Sequence, residues 1–162
     1  MLFGGSLVRT EATGYGAVYF AQAMLEARGE SLEGKTCAVS GAGNVAIYCC
    51  EKLLQIGATP VTVSDSRGMV HDTAGIKVDV LKQVKETERA SLARYAELVP
   101  TARYTPTAEY PKGRNAVWDV PCFAAFPCAT QNELALDDAK ALLANGCKCV
   151  AEGANMPSTL DA

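Results

Sequence analysis

The stretch TCAVSGAGNVA, residues 36–46, determines the fold expected for this chain. It opens with a short apolar run followed by glycines, which is typical of a fully buried strand in a parallel sheet. Gly41, Gly43 and Ala46 then follow the pattern G-x-G-x-x-[G/A] where a helix begins. In that pattern the first glycine permits a tight turn, the second lets the backbone approach a pyrophosphate, and the third small residue lets the helix pack on the strand. An ordinary strand-to-helix turn remains the alternative.

Outward from this stretch, the periodicity of apolar residues predicts alternating helices and strands. The predicted helices are 10–28, 44–55, 75–98, as one helix or two, and 137–146, which we expect to begin at an Asp N-cap and end before Gly146. The predicted strands are 36–40, 59–64, 120–128 and 147–153, with a surface connection and one short strand between 100 and 115. Parallel neighbours need crossover helices, so this order predicts one α/β domain over 1–162, with a doubly wound, mainly parallel sheet and helices on both faces.

Composition excludes several classes of protein. A chain of 162 residues with 49% hydrophobic and 20% charged residues fits one globular domain. The formal net charge of −3 lacks the basic excess that nucleic acid binding requires. No apolar run reaches the roughly 18 residues that span a bilayer, so we expect no membrane insertion. Seven cysteines without a signal segment predict a reducing, cytoplasmic location.

The end of the second predicted strand carries the residues that bear on cofactor choice. Asp65 follows Gly41 at close to the spacing of about 20 residues expected for an acid that binds a ribose 2′-hydroxyl, which favours NAD. Ser66 and Arg67 come next, and a hydroxyl with a guanidinium suits a 2′-phosphate. Together the three residues favour NADP over NAD. A plain polar turn, which selects the same residue types, is the alternative.

Three further stretches carry a resemblance to a known family: GGSLVRTEATGYG at 4–16, FPCATQNEL at 126–134 and AEGANMP at 151–157. They resemble, in order and spacing, the NADP-dependent glutamate dehydrogenase family. The resemblance covers essentially all of this chain but only part of the family's chain. It implies that 1–162 is the Rossmann-like NADP-binding domain, without the substrate domain. Phe123 departs from the family, which usually has an aspartate at that place.

The resemblance implies contacts between this chain and the cofactor. The implied contacts are Thr13 at the nicotinamide carboxamide, Asn44 and Val45 at the pyrophosphate and ribose, Ser66 and Arg67 at the 2′-phosphate, Cys128, Ala129 and Thr130 along the adenosine, and Asn155 at the nicotinamide ribose. Arg9 matches a basic residue near the amino acid substrate.

The implied activity is interconversion of L-glutamate, NADP and water with 2-oxoglutarate, ammonia and NADPH. The family's catalytic lysine and aspartate belong to the substrate domain, so we expect no catalytic residue in this chain and no turnover by it alone. The resemblance implies a homohexameric parent enzyme, and we expect a monomer or weak dimer here. Two alternatives stay open: a non-catalytic nucleotide-binding module, and the equivalent domain of a leucine, valine or phenylalanine dehydrogenase.

Two other features of the sequence are assigned to structure rather than chemistry. His71 is predicted to lie in a surface link, with no nucleophilic motif beside it. Cys147 and Cys149 form a C-x-C pair that would return to one face of a strand. Because no second cysteine pair or histidine follows at zinc spacing, we expect buried cysteines and no metal site.

Overall fold

A computed structural model describes residues 9–162. The part of the N-terminal motif at 4–8 lies outside the described residues. The helices are α1 (Ala12–Glu26), α2 (Asn44–Gln55), α3 (Val78–Lys82), α4 (Leu92–Leu98) and α5 (Leu136–Ala144). The strands are β1 (Thr36–Val39), β2 (Thr59–Pro60), β3 (Thr62–Asp65), β4 (Gly68–Asp72), β5 (Ala102–Pro106), β6 (Ala124–Phe126) and β7 (Cys149–Val150).

Four strands form a parallel sheet in the order β2-β1-β6-β7. Side chains alternate between its faces, so Cys37 and Val39 enter one apolar cluster while Ala38 enters the other. Helices α1 and α2 contribute to the first cluster, and α5 contributes to the second. The predicted α/β class with a mainly parallel sheet between helices is confirmed.

The first face depends on a close approach between α1 and α2. Gly14 is the point of contact, since a Cβ built there would lie 2.6 Å from the carbonyl oxygen of Val45 and 2.6 Å from the amide nitrogen of Cys49. Glycine is therefore required on this helix by packing, despite its low helix propensity. The contact also explains why a glycine stands inside the EATGYG stretch.

The second face is closed by a 3₁₀ turn, Ala116–Asp119, which packs beside α5. Trp118 is completely buried there, and its indole N–H donates to the carbonyl oxygen of Glu133 over 3.2 Å. A buried indole needs such a partner. This bond ties the connection before β6 to the loop after it.

The predicted strand 59–64 is divided between two sheets, which the sequence prediction missed. Pro60 is the last residue paired with β1, and the Val61 N–H makes the final backbone hydrogen bond of that ladder, to the carbonyl oxygen of Cys37 over 2.9 Å. Beyond it, the hydroxyl of Thr62 accepts from the N–H of Val39 over 2.9 Å and donates to the Val39 carbonyl over 3.0 Å. The Thr62 side chain thus takes the place of a backbone partner for Val39. Strand β3 therefore separates from the parallel sheet at this point.

A second, antiparallel sheet has the order β3-β4-β5. The predicted turn at Asp65–Gly68 is correct, but it closes a hairpin rather than leading to a surface link. The prediction for His71 is therefore wrong, because it lies half-buried on β4, between Thr62 of β3 and Arg103 of β5. The strand was missed because it holds only two large apolar residues.

The remaining elements differ from prediction in their bounds. The helical stretch 75–98 is interrupted: α3 continues as a π-helix, Gln83–Thr87, and α4 begins only after Arg89, whose φ is 52°. The expected Asp N-cap of α5 is wrong, since Ala135 holds that position and donates its N–H to Asp138 over 3.0 Å. Gly146 follows the helix with φ 87°, as its predicted role requires. Strands β6 and β7 are shorter than the predicted runs.

Within residues 9–162, no helix combines the length and apolarity that crossing a bilayer would need.

The contact at Gly14 gives a stability prediction. We expect Gly14→Ala to lower the free energy of unfolding by about 1–3 kcal/mol, because the added methyl meets backbone atoms that cannot rotate away. Gly16→Ala is the matched control on the same helix, where a Cβ meets nothing within 4 Å, and it should raise stability by up to about 1 kcal/mol. Urea unfolding of both variants measures the difference, and equal stabilities would contradict the packing account.

Candidate functional site

A cleft of about 870 Å³ opens at the carboxyl ends of β1, β3 and β6. In the parallel sheet, β1 has β2 on one side and β6 on the other, so the connections leave it in opposite directions. This is the topological switch point, where open α/β sheets bind ligands. Three segments form most of its lining: the turn 41–45 after β1, residues 64–66 at the end of β3, and the loop 128–130 with Glu133 after β6. Lys85, Glu86 and Asn115 line it as well.

Gly41 brings the first and third of these segments into contact. Its φ is +84°, and a Cβ there would lie 2.8 Å from the carbonyl oxygen of Cys128 and 3.1 Å from the Cα of Ala129. Its N–H also donates to the hydroxyl of Ser64 over 2.9 Å, and its carbonyl accepts from the Ser64 N–H over 3.0 Å. Only glycine combines this backbone conformation with this proximity.

Gly43 stands at the opposite extreme, because a Cβ there would meet nothing within 4 Å. The residue occupies the N-cap position of α2, and no side chain caps the helix there. The first N–H groups and the positive dipole end of this 12-residue helix therefore face the cleft, and no side chain within residues 9–162 caps them. Such an end binds anions, and phosphate in particular.

Asp65 lines the cleft while its carboxylate is held by three other groups. Oδ1 accepts from the N–H of Arg67 over 2.9 Å, and Oδ2 accepts from the Lys85 ammonium over 3.0 Å and from the Leu92 N–H over 3.1 Å. Burial raises the pKa of Asp65, but the hydrogen bonds from Arg67, Lys85 and Leu92 outweigh it and lower the pKa below its ordinary value. The charged carboxylate thus anchors both the hairpin turn and the start of α4.

Lys85, on the π-helix, is a cleft residue that sequence reasoning missed. Its ammonium also donates to the carbonyl of Ala90 over 2.9 Å. Ser66 lines the cleft beside it, whereas the side chain of Arg67 is exposed outside the cleft lining. A lysine in a charged helical stretch is normally expected to be exposed to solvent. Only the interruption of the helix places Lys85 at the cleft, and the sequence pattern did not predict that interruption.

The loop after β6 is fixed by a buried side chain, Ser40, and a half-buried one, Glu133. The Ser40 hydroxyl accepts from the N–H of Cys128 over 2.9 Å. Oε1 of Glu133 accepts from the N–H groups of Ala129 and Thr130, over 2.9 and 3.2 Å. Burial raises the pKa of Glu133 even though these bonds oppose the shift. Glu133 was not among the predicted site residues, although the FPCATQNEL stretch contains it.

The structure brings most of the predicted cofactor residues to one cleft and leaves others outside its lining. Those that line it are Gly41, Gly43, Asn44, Val45, Asp65, Ser66, Cys128, Ala129 and Thr130. Those that do not are Arg9, Thr13, Arg67 and Asn155, all of them exposed.

Two of the outlying segments are nevertheless tied to the cleft walls. The side-chain amide of Asn44 donates to the carbonyl of Thr10 over 2.5 Å, which holds the segment before α1 at the glycine turn. The N–H groups of Gly153 and Ala154 both donate to the carbonyl of Pro127 over 2.9 Å, which holds the EGAN stretch beside the loop after β6.

Within the described range 9–162, no group of three or more His, Cys, Asp or Glu side chains is arranged to hold a metal ion. The C-x-C spacing predicted that Cys147 and Cys149 lie on one face of a strand, and this prediction is wrong. Cys149 packs in the cluster of α1 and α2, whereas Cys147 packs in the cluster of α5.

Comparison with known proteins agrees with this architecture. The model of the glutamate/leucine/phenylalanine/valine dehydrogenase family matches residues 4–162, so the chain belongs to this family. Within it, the chain is 65% identical over 162 residues to the NADP-specific glutamate dehydrogenase of Helicobacter pylori, covering 100% of this chain and 36% of that protein. The NADP-specific glutamate dehydrogenase of Haemophilus influenzae is 51% identical over 163 residues, covering 99% and 34%.

A solved structure gives the same result. The glutamate dehydrogenase of Plasmodium falciparum matches with a TM-score of 0.87 and 46% identity, covering 99% of this chain and 33% of that one. The resemblance to glutamate dehydrogenases is confirmed. The chain spans about a third of the length of these relatives, 36% in the case of the Helicobacter pylori protein.

The bonds of Asp65 predict a pH-dependent contribution to stability. Because its pKa is lower in the folded than in the unfolded chain, the contribution is present above the ordinary aspartate pKa of about 4 and disappears as pH falls through the folded value. We expect Asp65→Asn to lower the free energy of unfolding at pH 7 by about 1.5–3 kcal/mol. Urea unfolding at a series of pH values should show this difference shrinking toward acid.

Asp161→Asn, at an exposed aspartate, is the matched control and should change stability little at any pH. A constant difference between the wild-type chain and Asp65→Asn from neutral to acid pH would show that the charge of Asp65 is not what stabilises the fold.

Proposed function

We propose that this chain binds NADP(H) in the cleft between the glycine turn and the loop after β6. The observation that carries the proposal is the uncapped N-terminus of α2 at the switch point, with open space over Gly43. A pyrophosphate placed there would receive hydrogen bonds from free N–H groups and gain from the helix dipole. The names of the relatives from Helicobacter pylori and Haemophilus influenzae, both NADP-specific, support this choice of cofactor.

The far end of the cleft fits the 2′-phosphate of NADP. Ser66 offers a hydroxyl and Lys85 an ammonium in the cleft lining, which also contains the acidic Glu86, and the exposed Arg67 follows Ser66 in sequence. The Asp65 carboxylate alone would repel a phosphate, but its ion pair with Lys85 and its bonds to two N–H groups offset that charge. Both oxygens of Asp65 are thus engaged, which weakens the case for Asp65 as the NAD-selecting acid.

We further propose that the chain supplies the cofactor-binding part of an enzyme that interconverts L-glutamate and 2-oxoglutarate. The bound nicotinamide would accept or supply the hydride. The residues of this chain bind the cofactor's phosphates, fix the loop along its adenosine half and hold the segment before α1 at the glycine turn. Substrate binding and proton transfer belong to the part of the relatives that this chain does not cover, so the chain by itself should show no turnover.

Gly43→Val tests the cofactor site. The valine side chain would project into open space, so the fold should keep its thermal stability while binding of NADPH is lost. Isothermal titration with NADPH gives the affinity, and thermal unfolding confirms the fold. Gly16→Ala, also open but on α1, is the control and should bind as the wild-type chain does. Undiminished affinity in Gly43→Val would exclude the glycine turn as the phosphate site.

Arg67→Ala and Lys85→Met test the 2′-phosphate site. Arg67→Ala should weaken NADPH binding by about 1–3 kcal/mol and leave NADH binding nearly unchanged, because the charge-assisted contact exists only with a 2′-phosphate. Lys85→Met also releases the Asp65 carboxylate, so it should weaken the binding of NADPH more than that of NADH. Titration of each variant with both cofactors gives the comparison, and Arg103→Ala, an exposed arginine on β5, is the control. Equal weakening of both cofactors would assign a purely structural role to the residue.

A further inference from the structure

The seven cysteines are all free and buried, and they divide unequally between the two faces of the parallel sheet. The cluster under α1 and α2 contains Cys37, Cys49, Cys50, Cys128 and Cys149. Of the seven cysteines, only Cys122 and Cys147 belong to the cluster under α5. The cofactor site proposed above makes no use of these two thiols.

The backbone brings Cys122 and Cys147 side by side. Each precedes one of two neighbouring parallel strands, β6 and β7, which pair Ala124 with Cys149. On the N-terminal side of that pair, the N–H of Lys148 donates to the carbonyl of Phe123 over 2.8 Å, directly after the two cysteines. Their side chains then turn to the same face, where they are 6% and 7% exposed.

The surroundings distinguish the two thiols. The adjacent Cys122 thiol lowers the pKa of Cys147 below its ordinary value, against burial, with backbone groups of Cys149 and Ala125 assisting. The Cys147 thiol itself donates to the carbonyl oxygen of Cys149 over 3.3 Å. The same contact, together with burial, raises the pKa of Cys122. A thiolate is the reactive form of cysteine, so Cys147 is the nucleophile of the pair.

Of these two residues, which are almost equally buried, only Cys147 lines a surface groove. The groove, of about 230 Å³, lies between α5 and β7, and Cys149, Leu142 and Val150 also line it. A small neutral oxidant that enters the groove therefore reaches the thiols of Cys147 and Cys149. Because burial raises the pKa of Cys149, Cys147 is the more reactive of the two.

We propose that Cys147 and Cys122 form an oxidation site for hydrogen peroxide. The Cys147 thiolate attacks one peroxide oxygen, the O–O bond breaks, and the products are a sulfenic acid and hydroxide, which takes up a proton as water. The sulfur of Cys122 then attacks the sulfur of Cys147, the S–O bond breaks, and a second water leaves. Two thiols and one peroxide thus give one disulfide and two waters.

The disulfide would join the connection before β6 to the turn after α5. It would leave the residues of the cofactor cleft in place, since neither cysteine lines that cleft. We therefore expect the oxidised chain to unfold at a higher temperature than the reduced chain and to bind NADPH with unchanged affinity.

Peptide mapping of the reduced wild-type chain after peroxide treatment tests the proposal. The dose is set by oxidation of the exposed Met156, which shows that the oxidant has acted. After denaturation and alkylation, we expect the loss of two alkylatable thiols from the seven and one cross-linked peptide joining Cys122 to Cys147. Full alkylation of all seven at that dose, or a link between other cysteines, would overturn the proposal.

Variants add a test of the order of steps. Cys122→Ser should leave a sulfenic acid on Cys147 that dimedone traps, because the resolving thiol is gone. Cys149→Ser is the matched control, since it removes the other thiol that lines the groove, and it should form the same link as the wild-type chain. If dimedone labels another cysteine in Cys122→Ser, the assignment of Cys147 is wrong. If a serine variant fails to fold, the peptide map of the oxidised wild-type chain is sufficient to test the Cys122–Cys147 link.

Discussion

The close approach of Gly41 to the backbone of Cys128 and Ala129 is the constraint on which the site depends. It joins the turn after β1 to the loop after β6, which are far apart in sequence and adjacent in the sheet. Because the glycine has no Cβ and a φ of +84°, the two loops meet without strain and leave the N-terminus of α2 open to the cleft. The hydroxyl groups of Ser64, on β3, and of Ser40, directly after β1, then hold the two loops in place.

A single carboxylate organises the other wall of the cleft. Asp65 ends β3 and accepts hydrogen bonds from the hairpin turn, from the π-helix and from the first turn of α4. The antiparallel hairpin and the interrupted helix are therefore one unit, and they place Lys85 at the cleft. The charge of Asp65 stabilises the fold here, while the Lys85 ammonium that it holds at the cleft suits a phosphate.

The sequence predicted the parallel sheet, the glycine turn and most of the cleft lining, because each depends on local signals. The run before Gly41 and the spacing to Ala46 are readable without tertiary contacts. The second sheet was missed because its formation depends on a non-local replacement: beyond the backbone bond from Val61 to Cys37, the hydroxyl of Thr62 satisfies the backbone of Val39 in place of a ladder partner. Lys85 was missed for the same reason, since its position depends on bonds to Asp65 and Ala90 across a break in the helix.

Isothermal titration of the wild-type chain with NADPH and, in parallel, with NADH tests directly whether the cleft at the switch point binds NADP(H). If the cleft at the switch point is a formed NADP site, NADPH binds with one site per chain and more tightly than NADH. If the folded chain binds neither cofactor, or binds NADH as tightly as NADPH, then the open helix terminus and the groups around Ser66 and Lys85 do not form the site assigned to them.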